Sequence, residues 1–371
     1  MTKAAELAKM GEVLTNSQIG GRRNIIINGA MQVAQRGTSF TLENNSIKYP
    51  VDRFLVHDVN SSAGEATISQ STTAPTDFKN SLKIDVTTAD TALVAADQYK
   101  IEYRVEGQDI EHLNYGTSAA KTVTLSFYIR SNKTGNTQVA LLNAANDRAY
   151  VATFTIDSAN TFERKELTIS GVTDGTWLNT NQTGLRLRWG SFGSTYQTSS
   201  TNQWVSGSQF NSRSDSPINF FDSTDNELYI TGVQLEVGSQ ATPFEHRSFG
   251  EELALCQRYF EITEGVDSSE RSVGGFAVGA GVWYATNQLL AIFPFKQTKR
   301  AIPSISVSAS DAIKAYTGSA SAIAANDSSV CDAIGLHSAR FNFTPASVGT
   351  AGHGTLIQMQ NNKSISVDAE L

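Results

Sequence analysis

The chain has 371 residues, a formal net charge of −7, 40% hydrophobic residues and only 18% charged ones. That length exceeds one ordinary domain, so two β domains with a small appendage are expected. The acidic balance argues against general nucleic-acid binding, which needs a basic field to displace counterions from phosphate. No apolar run approaches the roughly 20 residues that cross a membrane, and the first residues lack a secretory signal, so folding in a reducing cytoplasm is expected.

Residues 3–14 form a short amphipathic pattern, with Leu7, Met10 and Leu14 on one side and Lys3, Glu6, Lys9 and Glu12 elsewhere. A helix this short needs something to dock on. It reads either as a frayed end or as an attachment helix, followed by a tether to residue 21.

From residue 24 to residue 237, nearly every segment alternates with period two or is a short apolar run bounded by turn residues. Strands are expected at 24–34, 51–59, 65–70, 81–87, 98–106, 121–131, 137–143, 149–156, 164–170, 184–189 and 228–237. So many short strands without long helices between them indicate a mainly β fold, an antiparallel β-sandwich. Segments 98–106 and 121–131 read as paired central strands. Residues 190–226 break the pattern, being rich in Ser, Asn and Gly and studded with Tyr196, Trp204, Phe210, Phe220 and Phe221. A loop this long in a compact domain is often functional.

The stretch 228–237 reads as a strand with a phase slip around Gly232, stopped by Gly238 and Pro243. From Ser248 the period becomes helical: Leu253, Leu255, Cys256, Tyr259 and Phe260 share a spacing, with Ser248 as cap and Glu251 and Glu252 in the first turn. A linking helix over 248–262 is expected to lead into a second β region. That region should hold strands at 273–284, 288–296, 303–309, 329–335 and 338–344, and a closing hairpin over 354–368 turning at 361–363. Cys256 and Cys331, the two cysteines, are expected to be buried free thiols.

Three motifs carry a resemblance: NIIINGAMQVAQRGTSF at the start, YPVDRF just after it, and VQLEVGSQATPFEHRSFGEELALCQRYFE at the junction. Over residues 22–262 the chain resembles bacteriophage tail-fibre and related virion proteins, in which such motifs bound a carbohydrate-binding-module-like jelly roll. The resemblance implies an organisation in four parts: an attachment helix and tether over 1–21, a jelly-roll sandwich over 22–247, a linking helix over 248–262 and a smaller C-terminal β domain over 263–371. It implies attachment through Leu7, Met10 and Leu14, assembly as a homotrimer, other virion proteins as partners, and a host-surface polysaccharide as ligand. The expected location is the virion, as a tail fibre or on the capsid surface, after synthesis in the host cytoplasm. A head fibre or cement protein decorating the capsid or portal vertex is the alternative in another location.

No motif for catalysis stands out. The five histidines are scattered without metal-ligand spacing; neither a Gly-x-Ser-x-Gly elbow nor a phosphate loop is present. Paired carboxylates such as Asp222 with Asp225 and Glu251 with Glu252 are explained by turns and a helix start, so no catalytic residue and no enzyme activity are expected. A polysaccharide depolymerase remains the competing enzyme class, and it would need two carboxylates facing each other across a groove. No cofactor is expected, apart from the structural calcium ion that jelly-roll modules often hold, for which Asp222 and Asp225 are the option. Glycan binding demands less: an aromatic platform with amides beside it. Tyr196 and Trp204, with Asn202 and Gln203, are the candidates; loop packing and contact with a neighbouring subunit are the other readings of the same rings.

Overall fold

The computed structural model describes residue 3 and residues 23–59, 63–207, 209–264, 276–309, 312–316, 322–325, 331–343 and 349–371. Leu7, Met10 and Leu14 lie outside the described residues. The chain forms two compact units, the first ending at Glu252 and the second running Leu253–Glu370.

The first unit is an antiparallel β-sandwich of jelly-roll type. Its strands are β1 (Ser39–Leu42), β2 (Ile47–Val51), β3 (Phe54–Val59), β4 (Glu65–Ser71), β5 (Ser81–Thr88), β6 (Gln98–Glu106), β7 (Val123–Ser131), β8 (Gly135–Asn143), β9 (Arg148–Ile156), β10 (Glu163–Ile169), β11 (Thr183–Phe192), β12 (Gln197–Thr198), β13 (Trp204–Ser206), β14 (Ser212–Arg213) and β15 (Glu227–Val237). One sheet has six strands in the order β1-β4-β5-β15-β7-β10, the other seven in the order β13-β9-β8-β11-β6-β3-β2, and β12 and β14 form a small parallel pair apart from them. Period-two alternation turns Val123, Leu125, Phe127 and Ile129 of β7 toward Tyr99, Ile101, Tyr103 and Val105 of β6 and Leu185, Leu187 and Trp189 of β11, all buried. Phe127 meets Trp189 edge-to-face at 5.7 Å and Phe154 at 5.2 Å, which locks the two sheets at the centre.

β6 and β7 therefore face each other across the core in opposite sheets and are not the hydrogen-bonded pair expected from sequence. Both strands carry one apolar face, which suits either arrangement. The connection between them decides it: 3-10 turns at Gly107–Asp109 and Glu111–Leu113 carry the chain from one sheet to the other. The phase slip near Gly232 is a bulge: the register between β15 and β7 jumps between Thr231 and Gln234, with Gly232 at φ +61°.

The segment from Asn24 to Ala34 is no ladder strand, contrary to expectation. Asn28 and Met31 adopt φ of 60° and 56°, which breaks any strand; isolated backbone bonds to Leu235, Val233 and Asp52 remain, and side chains meet much of the rest of the backbone. The Asn24 amide donates to Val233 O (3.1 Å), while its oxygen accepts from Ile26 N and Leu235 N. Glu245 accepts from Asn24 N and Glu252 from Asn28 N, each at 2.6 Å. Arg247 donates to the carbonyls of Asn24 and Ile26. Asn28 in turn donates to Val33 O and Asp52 O, and Asp52 accepts from the backbone and side chain of Gln35. A Cβ at Gly29 would lie 2.1 Å from Val233 O, so only glycine permits this approach. The opening motif, Asp52 of the second motif and the junction motif thus interlock, some 200 residues apart in sequence.

Helix α1 (Phe249–Gln257) begins with Ser248 Oγ accepting from Glu251 N. It is shorter than expected. Tyr259 lies in a turn, its N–H donating to Cys256 O, and Phe260 opens a strand whose pairing on the C-terminal strand outweighs its helical spacing. Cys256 is buried as expected and not in a disulfide; Cys331, also outside any disulfide, is only half-buried, its thiol pushed up to about 11 by burial and by Asp332.

The second unit is also β: β16 (Phe260–Glu264), β17 (Phe276–Ala285), β18 (Gln288–Pro294), β19 (Ser304–Val307), β20 (Ile313–Tyr316), β21 (Ala322–Ala325), β22 (Cys331–Asp332), β23 (Ser338–Phe343), β24 (Gly354–Met359) and β25 (Ser364–Asp368). They form a three-stranded sheet, β16-β25-β19, and a seven-stranded one, β21-β20-β24-β17-β18-β23-β22. Trp283, Phe293, Phe341, Phe343 and Met359 fill its core. β24 and β25 are joined by a turn through Asn362 at φ 57°, yet they belong to different sheets, because β25 pairs with β16 on one side and β19 on the other. The closing hairpin is thus a sheet-to-sheet corner. Lys299 is wholly buried, donating to Glu261 (2.8 Å) and to Gln257 O.

Candidate functional site

The loop residues singled out by sequence lie at one edge of the seven-stranded sheet. Trp204 opens β13, opposite Tyr150 of β9. Its ring packs edge-to-face with Tyr150 (5.5 Å), Trp177 (5.5 Å) and Tyr115 (6.0 Å), and its Nε1 donates to Ser170 O at 2.7 Å. Asn202, at φ 56°, donates its backbone N–H to Val151 O, accepts from Thr153 N and donates to Thr153 Oγ1. These polar groups tie the loop to β9. Gln203 is exposed and Tyr196 half-buried, in a 3-10 turn. Phe220 and Phe221 are core residues, Phe221 stacking on Tyr99 at 3.8 Å.

Beside this loop, the outer face of the seven-stranded sheet carries a charge cluster. Glu102 of β6 is completely buried. Its Oε1 accepts from Arg104 Nε (2.6 Å) and Arg186 Nη1 (2.8 Å), its Oε2 accepts from Arg188 Nε (2.8 Å), and Lys100 Nζ stands 3.8 Å away. Arg188 also donates to Asn211 Oδ1, which comes from the loop strand side. Burial alone would raise the Glu102 carboxyl; the cations, Arg188 first and then Arg104, Lys100 and Arg186, hold it well below the usual carboxylate range. Lys100 is lowered to about 8 by burial and by Arg188, and His57 to about 4 by burial and by Lys100. Further along the same face, Ala140, Leu142, Ala149 and Val151 are capped by Val205 and Phe210 of the loop. Four cations around one carboxylate make a rigid electrostatic core for this face, with the carboxylate engaged on both oxygens.

The opposite face of the sandwich, on the six-stranded sheet, bears an open cleft of about 700 Å³. Gly232, Ser126 and Tyr128 form its floor, Phe78, Phe244 and His246 its wall, and Asp77, Arg164 and Pro243 its rim. Phe78 is the hub, 5.4 Å from Tyr128, 5.0 Å from Phe244 and 5.2 Å from His246. A Cβ at Gly232 would come within 2.9 Å of both Phe78 and Tyr128, so the bulge makes room for the rings. Arg164 lies across from Tyr128 in the β10–β7 register and donates to Thr242 O at 2.8 Å.

Asp222 meets Lys133 and accepts from Asn226 (2.8 Å), and the Asp225 carbonyl accepts from Asn132. Among the described residues, no three His, Cys, Asp or Glu side chains are gathered as a metal site. No described helix is long and apolar enough to cross a membrane.

The charge cluster was open to sequence reasoning: Lys100, Glu102 and Arg104 alternate in QYKIEYRVE, as Arg186 and Arg188 do in LRLRWG, so each set shares one strand face. The cleft carried no such signal, because its lining comes from five separate segments.

No family model and no curated protein matches the chain. Among solved structures, it is similar to the enzymatically active domain of tailspike protein 4 of bacteriophage CBA120 over 58% of its length, at 10% identity and a TM-score of 0.29; the chain spans 21% of that protein. It is also similar to the family 11 carbohydrate-binding module from Clostridium thermocellum in complex with a mixed-linked tetrasaccharide, at 9% identity, covering 55% of this chain and 98% of that one, with a TM-score of 0.26. A tandem of two family 22 carbohydrate-binding modules from Paenibacillus barcinonensis aligns over 93% of this chain and 97% of its own, at 8% identity and a TM-score of 0.28.

Proposed function

We propose that this chain is a structural protein of a tailed-bacteriophage virion, a short tail fibre attached through its N-terminal segment, whose jelly-roll unit recognises a host-surface glycan without cleaving it. The observation that carries this reading is the interlock of the motifs that resemble virion proteins. Asn24, Gly29, Asp52, Glu245 and Arg247 hold the ends of the sandwich together. In this chain these motifs serve as a frame that closes the sandwich, which supports a structural reading. Glu102, the carboxylate at the centre of the seven-stranded sheet, is engaged by cations on both oxygens, which suits it to a structural role and not to proton transfer.

The fibre is proposed to be a homotrimer. The outer face of β17, β18 and β24 supports self-association, since Val282, Tyr284, Ile292 and Leu356 are all exposed there. Two measurements on the purified chain test the reading. Light scattering at micromolar concentration should give three copies, and a monomer would count against the fibre. Incubation with host envelope should show binding with no release of reducing sugar; sustained release would make the chain a depolymerase.

A further inference from the structure

We infer that the open cleft on the six-stranded sheet is a carbohydrate site, taking a pyranose residue of a polysaccharide against Tyr128, Phe244 and His246, with Asp77 and Arg164 meeting its hydroxyls. This rests on the glycan-recognition part of the reading above and gives it a place. The volume of about 700 Å³ lies inside the range of roughly 300–1,000 Å³ typical of small-ligand sites. Its chemistry is that of sugar recognition: aromatic surface for C–H groups, and an anionic acceptor and a cationic donor for hydroxyls. Asp77 and Arg164 are exposed, Arg164 with Glu166 paired to one of its nitrogens, and Tyr128 and Phe244 are half-buried, so rings and charges reach the opening.

The local sequence explains how the cleft arises. In the run Phe244-Glu245-His246-Arg247, alternate side chains face opposite ways. Glu245 and Arg247 bind the backbone of the opening segment, while Phe244 and His246 stand in the cleft. The same four residues thus close the frame on one side and furnish the cleft on the other. Asp77, at φ 73°, is presented by the loop that also delivers Phe78, and Gly232 leaves room beneath. On the rival surface, around Glu102, the side chains of Glu102, Arg188 and Asn211 are all buried and so are not presented to a ligand.

Affinity electrophoresis through gels containing purified bacterial O-antigen and capsular polysaccharides tests the inference on the full chain. Wild-type protein should be retarded by at least one of these polysaccharides. Tyr128→Ala and Arg164→Ala should each weaken that retardation about tenfold. Asp77→Asn, which keeps a residue tolerant of positive φ, should weaken it as well, and Glu111→Gln, exposed on the turn between β6 and β7 and outside the cleft lining, should leave it unchanged. Each variant is compared at matched unfolding midpoint, and Arg164→Lys provides a second, milder probe should Arg164→Ala fold poorly. If folded cleft variants are retarded like the wild type, the cleft is refuted while glycan recognition stands. If the wild-type chain is retarded by none of the polysaccharides, the cleft and the glycan reading fall together.

Discussion

Replacing Glu102 with glutamine removes the carboxylate that Arg104, Arg186, Arg188 and Lys100 share, while keeping its volume. Two guanidinium groups lie within 2.8 Å of one oxygen and a third within 2.8 Å of the other, and the carboxyl has no exposed surface. Removing one partner of a buried ion pair costs about 3–5 kcal/mol, because the remaining charge stays desolvated. The lower end applies here, since the Arg104 and Arg186 side chains retain 23% and 16% of their exposure and can turn to water. With a urea m-value of about 2–3 kcal/mol per molar, a loss of about 3 kcal/mol moves the midpoint down by about 1–1.5 M. Trp177, Trp189 and Trp204 lie in the first unit and report its unfolding by fluorescence. A double variant, Glu102→Gln with Arg188→Met, should recover part of the loss. A shift below about 0.3 M for Glu102→Gln alone would show that solvent already screens these charges, and would refute the picture of a rigid charge core.

The remaining expectations concern pH, the bulge and the second unit. His57 is lowered to about 4, so the folded chain binds fewer protons than the unfolded one below pH 6.5; stability should fall as pH drops from 6.5 toward 4, and His57→Gln should flatten that part of the profile. The depressed Glu102 carboxyl adds stability that is present above the ordinary carboxylate range and lost as pH falls below it, a second and more acidic loss that thermal melts in Glu102→Gln should lack. Gly232→Ala places a Cβ against Phe78 and Tyr128 at positive φ and should cost about 1–3 kcal/mol in thermal unfolding; a loss under about 0.5 kcal/mol would contradict the need for glycine there. In the second unit, Lys299→Met strands the buried Glu261 carboxylate and should cost about 3–5 kcal/mol, most of it regained on adding Glu261→Gln. Equal stability of the single and double variants would sink that explanation.

Strand after strand could be read in the sequence because period-two alternation is a local signal, and the bulge at Gly232 showed itself as a slip in that alternation. What could not be read was which strands share a sheet. β6 and β7 have equally apolar inner faces, and the crossing between them depends on two 3-10 turns with no strong local signature. The Asn24–Ala34 segment differs for a related reason: its apolar residues are buried as in a strand, while Asn28 and Met31 at positive φ break the ladder to isolated bonds and leave Asn24, Ile26 and Asn28 to meet the side chains of Glu245, Arg247 and Glu252. The aromatic loop residues drew attention by composition, yet Trp204 uses its indole N–H and ring edges to hold the loop in place. The rings of the cleft come from residues 78, 128 and 244–246, and only the fold brings them together.

The central claim, that this chain is a tail part of a virion, is tested most directly by immunogold labelling of intact virions with antibody raised against the purified chain. Gold confined to the tail is the predicted result. Gold on the head with the tail bare would contradict the account and make the chain a head decoration.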